Sequence, residues 1–189
     1  TAKTGITSGQ ASAITANTAK VTNSTSASDL ASGTLPTARL PAGSVLQVVY
    51  ATITSGALTT TNTSYVDTNV TASITPTSSS SKILVQALVH TYVGGHAAND
   101  WSAANFDIVR GSTQVYQTSS GATDGYTNSS FVTDTSSRYM NRTPITYLDS
   151  PSTTSAVTYK VRVASRNGHS LWISSAYGYS DITLTEIAG

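Results

Sequence analysis

From Ala156 to Ser165 the sequence alternates without interruption: Val157, Tyr159, Val161 and Val163 take one parity, Thr158, Lys160 and Arg162 the other. Successive side chains of an extended strand point to opposite faces, so this segment is a strand with one face in a core and one in water. A helix would scatter the same residues around its circumference. Asn167-Gly168 follows, a pair suited to the type I′ turn, and predicts an antiparallel hairpin from Ala156–Ser165 into His169–Ser174.

The same pattern recurs upstream and downstream. Val45–Ile53, Tyr65–Ile74, Lys82–Val93, Ala104–Arg110, Thr113–Thr118, Pro144–Leu148 and Asp181–Ile187 are further candidate strands. Arg110-Gly111-Ser112-Thr113 predicts a second hairpin, and Thr75–Ser81, with Pro76 and a run of serines, predicts a loop. Ser119–Asn141 is weakly patterned and reads as a long exposed loop, the kind of segment that carries binding surfaces. About nine short strands with no helix among them predict an all-β domain over residues 45–189, a jelly-roll-like β-sandwich.

Residues 1–44 follow other rules. Thr1–Val21 places Ile14, Thr18 and Val21 at helical spacing behind Ser8 as N-cap. As heptads, Ile14 and Val21 fall at a and Gln10 and Asn17 at d, a narrow seam that cannot hold an isolated helix. Residues 1–22 are therefore expected to be a short stalk packed on identical helices; the alternative is a frayed Ala/Thr-rich linker. Residues 23–44 hold Pro36 and Pro41, with Leu30, Leu35 and Leu40 spaced by five, and read as an extended connector whose leucines dock on neighbouring subunits.

Composition narrows the function. Ten Lys and Arg against nine Asp and Glu leave a net charge of +1, too little to draw in nucleic acid or an anionic membrane. Charged residues are only 10% of the chain, whereas Ser and Thr supply about a third, so hydroxyls hydrate a surface that is insensitive to salt and pH. The absence of cysteine removes disulfides and thiolate metal sites. No apolar run approaches the ~20 residues of a membrane-spanning helix. Because the chain opens on Thr1 and its one methionine is Met140, it is expected to be the C-terminal piece of a longer polypeptide.

Chemistry finds little footing. His90 and His96 are six residues apart, match no compact metal motif even with Asp100, and His90 sits in a predicted strand. No G-x-S-x-G turn occurs, and Glu186 is the only glutamate beside eight dispersed aspartates. No enzyme activity, metal or cofactor is expected. The aromatic residues carry more information: ten Tyr and two Trp against two Phe give most rings a polar handle suited to wet interfaces. Trp101, Tyr126, Tyr139, Trp172, Tyr177 and Tyr179 are candidates to stack on sugars or protein loops, with Asp100, Asn128 and Arg138 as polar partners. Of these, Asp100, Trp101, Tyr126, Asn128, Arg138 and Tyr139 form the candidate glycan site. Trp172, between Leu171 and Ile173, reads better as a core or subunit-interface residue.

Ile14-Thr15-Ala16-Asn17-Thr18-Ala19-Lys20-Val21 fits I-x-x-N-T-x-x-V and resembles the trimeric coiled coils of autotransporter adhesins and phage fibres. The resemblance implies Ile14, Asn17 and Val21 on a three-fold axis, with three Asn17 amides holding an anion such as chloride. Ser32-Gly33-Thr34-Leu35-Pro36-Thr37-Ala38-Arg39-Leu40-Pro41 resembles a linker of tail-fibre proteins from phages of marine bacteria and cyanobacteria, and Leu148–Pro151 and Ser180–Gly189 look like the same group's terminal domain. These resemblances imply a homotrimeric virion fibre, exposed outside the cell, that joins other virion proteins through its N-terminal side and meets a host surface glycan or protein with its C-terminal knob. The alternatives are a head fibre or capsid-decorating trimer, or a bacterial trimeric adhesin tip. Neither nucleic acid nor membrane insertion is expected.

Overall fold

The computed structural model describes residues 5–18, 39–53, 57–94, 100–117, 128–132, 139–166, 168–174 and 178–189, with backbone alone at 16–18, 100–102, 128–132 and 139. The chain divides into two compact units, Thr1–Arg39 and Leu40–Gly189.

In the first unit, α1 (Ser8–Thr18) begins one residue later than its cap. Thr7, not the expected Ser8, is the N-cap: its hydroxyl accepts from the Gln10 amide at 3.3 Å, and Gln10 Oε1 accepts from the Thr7 amide at 2.9 Å. This reciprocal capping box satisfies two of the donors that every helix start leaves open. Ile6 and Ile14 are exposed. Val21 lies outside the described residues.

The second unit contains eleven strands among the described residues: β1 (Val45–Ile53), β2 (Leu58–Thr60), β3 (Val66–Ile74), β4 (Lys82–Gly94), β5 (Asp100–Arg110), β6 (Thr113–Gln117), β7 (Asn128–Val132), β8 (Tyr139–Asp149), β9 (Val157–Ser165), β10 (Ser170–Ile173) and β11 (Ser180–Ile187). They form two sheets in which every pair is antiparallel. In the first, β4 pairs along one edge with β8 and along the other with β11 and then β10, which carry β1 and β2 respectively. In the second, β5 pairs with β9 on one edge and with β6 and β7 on the other, and β3 lies outside β9.

Period-two alternation builds the core between the sheets. Tyr159, Val161 and Val163 of β9 and Ile83, Val85 and Val89 of β4 are fully buried, together with Phe106, Ile108, Leu171, Ile173, Ile182 and Leu184. Burial of each such side chain contributes about 1.5–3 kcal/mol before the entropy of ordering it is counted.

Four expectations are corrected. Asn167-Gly168 does not close a hairpin: β9 pairs with β3 and β5 in one sheet, β10 with β4 and β2 in the other. Gly168 has the left-handed backbone, φ 74°, that such a turn asks for. The reversal is local, however, and the fully buried Val163 and Leu171 both face the core between the sheets, which the chain reaches from each sheet in turn. The supposed long loop at Ser119–Asn141 contains β7 and the start of β8, and β5 begins at Asp100 rather than Ala104. Finally, β8 runs on both sides of Pro144, which an edge strand tolerates because one of its sides needs no donor. The Arg110–Thr113 hairpin forms as expected, with Gly111 at φ 59°.

Candidate binding surface

The pairing gives the sandwich two distinct ends. At one, Val45 enters beside Ile187, and the 75–81, 111–112 and 150–156 connections lie there too. At the other lie the last residues of β4, the first of β5, the last of β7 and the first of β8.

The entry end is pinned by buried polar groups. Glu186 is fully buried, and its carboxylate accepts from Gln47 Nε2 at 2.6 Å, the Thr77 amide at 2.7 Å and the Thr77 hydroxyl at 2.8 Å. Burial pushes this carboxyl up, but Ser81, Gln47 and Thr77 outweigh it and hold the carboxyl below its ordinary 4.5. Ser81 acts from beside the carboxylate without closing a hydrogen bond of good geometry.

Asp149 Oδ2 accepts from Arg110 Nη1 at 2.6 Å and from the Tyr159 hydroxyl at 2.7 Å. Burial first, then the hydrogen bond to and charge of Asp149, raise the Tyr159 phenol well above its ordinary value. Higher on the second sheet, Asp107 takes two bonds from Arg162, at 3.0 and 2.5 Å, and one from Gln114 at 2.7 Å. The bond to Asp107 tightens the hold of Arg162 on its proton. Each of these carboxylates accepts from donors of its own domain, an arrangement that fixes neighbouring strands to one another.

At the far end, register brings sequence-predicted residues together. Asp100 and Trp101 open β5 opposite Val132 and Phe131, Asn128 opens β7 opposite Ala104, and Tyr139 opens β8 opposite Val93. Asp100 and Trp101 thus lie at this end of one sheet and Tyr139 at the same end of the other, whereas Asn128 stands on the neighbouring strand β7 four registers inward, at the level of Ala104. Tyr126 and Arg138 lie outside the described residues, as do Tyr177 and His96. No group of three or more potential metal ligands occurs among the described residues.

Trp172 is half-buried on the outer side of the β4 sheet, its ring meeting Tyr92 edge-on at 4.8 Å while Leu171 and Ile173 face the core. Tyr179 is exposed just before β11. Ile14 and Asn17 both lie within α1.

Sequence reasoning passed over His90 as a packed or surface residue; the structure buries it under Gly178, where a Cβ would come within 2.3 Å of the imidazole. Burial, then the charge of Arg142, hold this imidazole below its ordinary 6.5. The signal available in sequence was Gly178 itself, set between Tyr177 and Tyr179.

The chain matches no protein-family model and no curated protein.

Proposed function

We propose that this chain is the C-terminal part of a homotrimeric phage fibre whose jelly-roll-like head contacts the host cell surface, binding a glycan or protein receptor without turning it over. One observation carries the reading: Asp100, Trp101 and Tyr139 belong to the end of the sandwich opposite the one where Val45 enters, with Asn128 four registers further in on the strand beside β5. The chain enters the head at the Val45 end, so its own connection does not occupy this one. Aromatic and amide residues of that kind suit weak contacts with sugars, which three copies multiply by avidity.

The jelly roll is supported by nested pairing. β1 pairs with β11, β3 with β9, β4 with β8, and β5 with β6 and β7, so that the chain folds on itself as one long hairpin rolled into two sheets. The trimer is supported by the capped helix that carries Ile14 and Asn17 and by a head whose surface is poor in charge. The engaged buried carboxylates favour binding over hydrolysis.

The test is binding of the full chain to whole marine bacterial and cyanobacterial cells and to their extracted surface polysaccharides. Saturable binding that falls at least tenfold in Trp101→Ala, with polysaccharide length unchanged after long incubation, is the expected result. Binding that is indifferent to Asp100, Trp101 and Tyr139 substitutions overturns the far end as the contact surface, and shortened polysaccharide overturns the non-enzymatic reading.

A further inference from the structure

The two outer faces of the sandwich differ in kind. On the β5 sheet the charges are used up within the face, Arg162 on Asp107 and Lys160 on Asp67. On the β4 sheet a row of side chains runs across four strands, Leu148–Leu84–Thr185–Val48, and a parallel, uncharged row runs Thr146–Gln86–Thr183–Tyr50. Val48 is 58% exposed, Tyr50 63% and Leu148 46%.

The β1 margin of this face is also bare. Among the described residues β1 pairs with β11 alone, and residues 44–53 contain neither a charge nor a proline. Edge strands of soluble proteins are guarded by lysine, proline or a covering segment, because an open ladder of amides and carbonyls recruits other strands. The opposite margin, β8, carries two such guards, Arg142 and Pro144. Nine residues of unguarded, Val-rich edge, beside a nearly uncharged face that exposes Val48, Tyr50 and Leu148, describe a surface that a partner strand or chain would cover.

We infer that the outer face of the β4 sheet, with the β1 edge, is the surface on which a second copy of this chain packs, an inference that rests on the homotrimer proposed above. Its charge pattern suits an identical partner. Arg142 and Asp181 are 3.9 Å apart within the face and offset one another, which leaves Lys82 at a corner as its one unpaired charge among the described residues. In a three-fold ring this face meets a different part of the next copy, and with Arg142 and Asp181 offsetting one another it brings little net charge to that contact.

Its size is also sufficient. Four strands spaced ~4.8 Å apart and the length of β4 at ~3.3 Å per residue give roughly 19 by 40 Å, close to the ~800 Å2 per partner of a standard interface. A host molecule would leave the β1 edge open between encounters, whereas a sister chain is present from synthesis onward.

The test is the solution mass of the full chain by light scattering. The unmodified chain is expected at three times its 19.5 kDa. Val48→Lys with Tyr50→Lys is expected to reduce it to a single chain mass with the β-sheet circular dichroism retained, and Ser73→Lys on the other face to leave it unchanged. Leu148→Lys, on a different strand of the same row, provides an independent variant with the same expected loss. Val48, Tyr50 and Leu148 all lie in the second unit, so these variants leave α1 untouched and the change in mass reads the head contact. A trimer that survives both the β1 and the Leu148 variants overturns this face as the contact and spares the trimeric fibre; an unmodified chain at 19.5 kDa overturns both.

Discussion

The Tyr159 hydroxyl, carried on a fully buried ring near the start of β9 in one sheet, donates to Asp149 Oδ2 2.7 Å away at the end of β8 in the other. The bond ties the two sheets across the core, and Arg110 Nη1 on the same oxygen balances the charge. Tyr159→Phe keeps the ring and removes the donor, so a loss of about 1–3 kcal/mol is expected from denaturant midpoints. Asp149→Ala should cost more, because it strands both the phenol and the guanidinium.

Glu186 gives the protein an acid limit. Its carboxyl is held below 4.5 in the fold, so the folded state binds fewer protons than the unfolded chain as pH drops. The stability it contributes is fully present above about pH 4.5 and is lost as pH falls through the lower folded value. Urea midpoints measured from pH 5.5 down to pH 3 should fall steeply for the native chain and less steeply for Glu186→Gln, which is itself less stable at pH 7.

Gly178 touches the His90 ring so closely that no Cβ fits. Gly178→Ala must push the imidazole or the 178–179 backbone aside, with a destabilisation of about 1–3 kcal/mol. His90→Ala should recover part of that loss when combined with it, a coupling that a double-mutant cycle of melting curves measures.

His90 itself titrates against the fold. Because its folded value lies below 6.5, the unfolded chain takes up the proton first as pH falls. Stability is therefore intact above about pH 6.5 and declines as pH drops from there towards the folded value. His90→Gln should flatten the melting temperature between pH 7 and pH 5, where the native chain shows a fall.

Asp107 is fully buried, with Arg162 and Gln114 both on its carboxylate. Asp107→Ala leaves the half-buried guanidinium without its partner, and a loss of about 3–5 kcal/mol, the range for a broken buried pair, is expected in chemical denaturation. Replacing Asp107 and Arg162 together with Val and Met should cost less than Asp107→Ala alone.

Legibility in the sequence followed the strength of the side-chain pattern. β9 could be read from Val157 to Val163 because each inward residue is apolar and each outward one polar, which is the arrangement found. β7, Asn-Ser-Ser-Phe-Val, has too few apolar residues to set a period, and its strand identity comes from pairing with β5. Asn167-Gly168 revealed a chain reversal but not which sheet would take the next strand, since turn chemistry says nothing of partners beyond the turn. Of the candidate glycan residues, Asp100, Trp101, Asn128 and Tyr139 were found by residue type alone; that Asp100, Trp101 and Tyr139 share one end while Asn128 sits further in depends on register, which no local pattern encodes.

The nested pairing also sets the order in which the protein can form. Among the described residues β1 finds its ladder only on β11, and nearly the whole head lies between them in the chain. Local hairpins such as β5–β6 close early, whereas the first strand waits for the last, so folding is slow and finishes only once the C-terminal strand is available. Throughout that interval Val45–Ile53 is a bare apolar ribbon, and the yield of folded protein is a race between β11 and the β1 strands of neighbouring nascent chains.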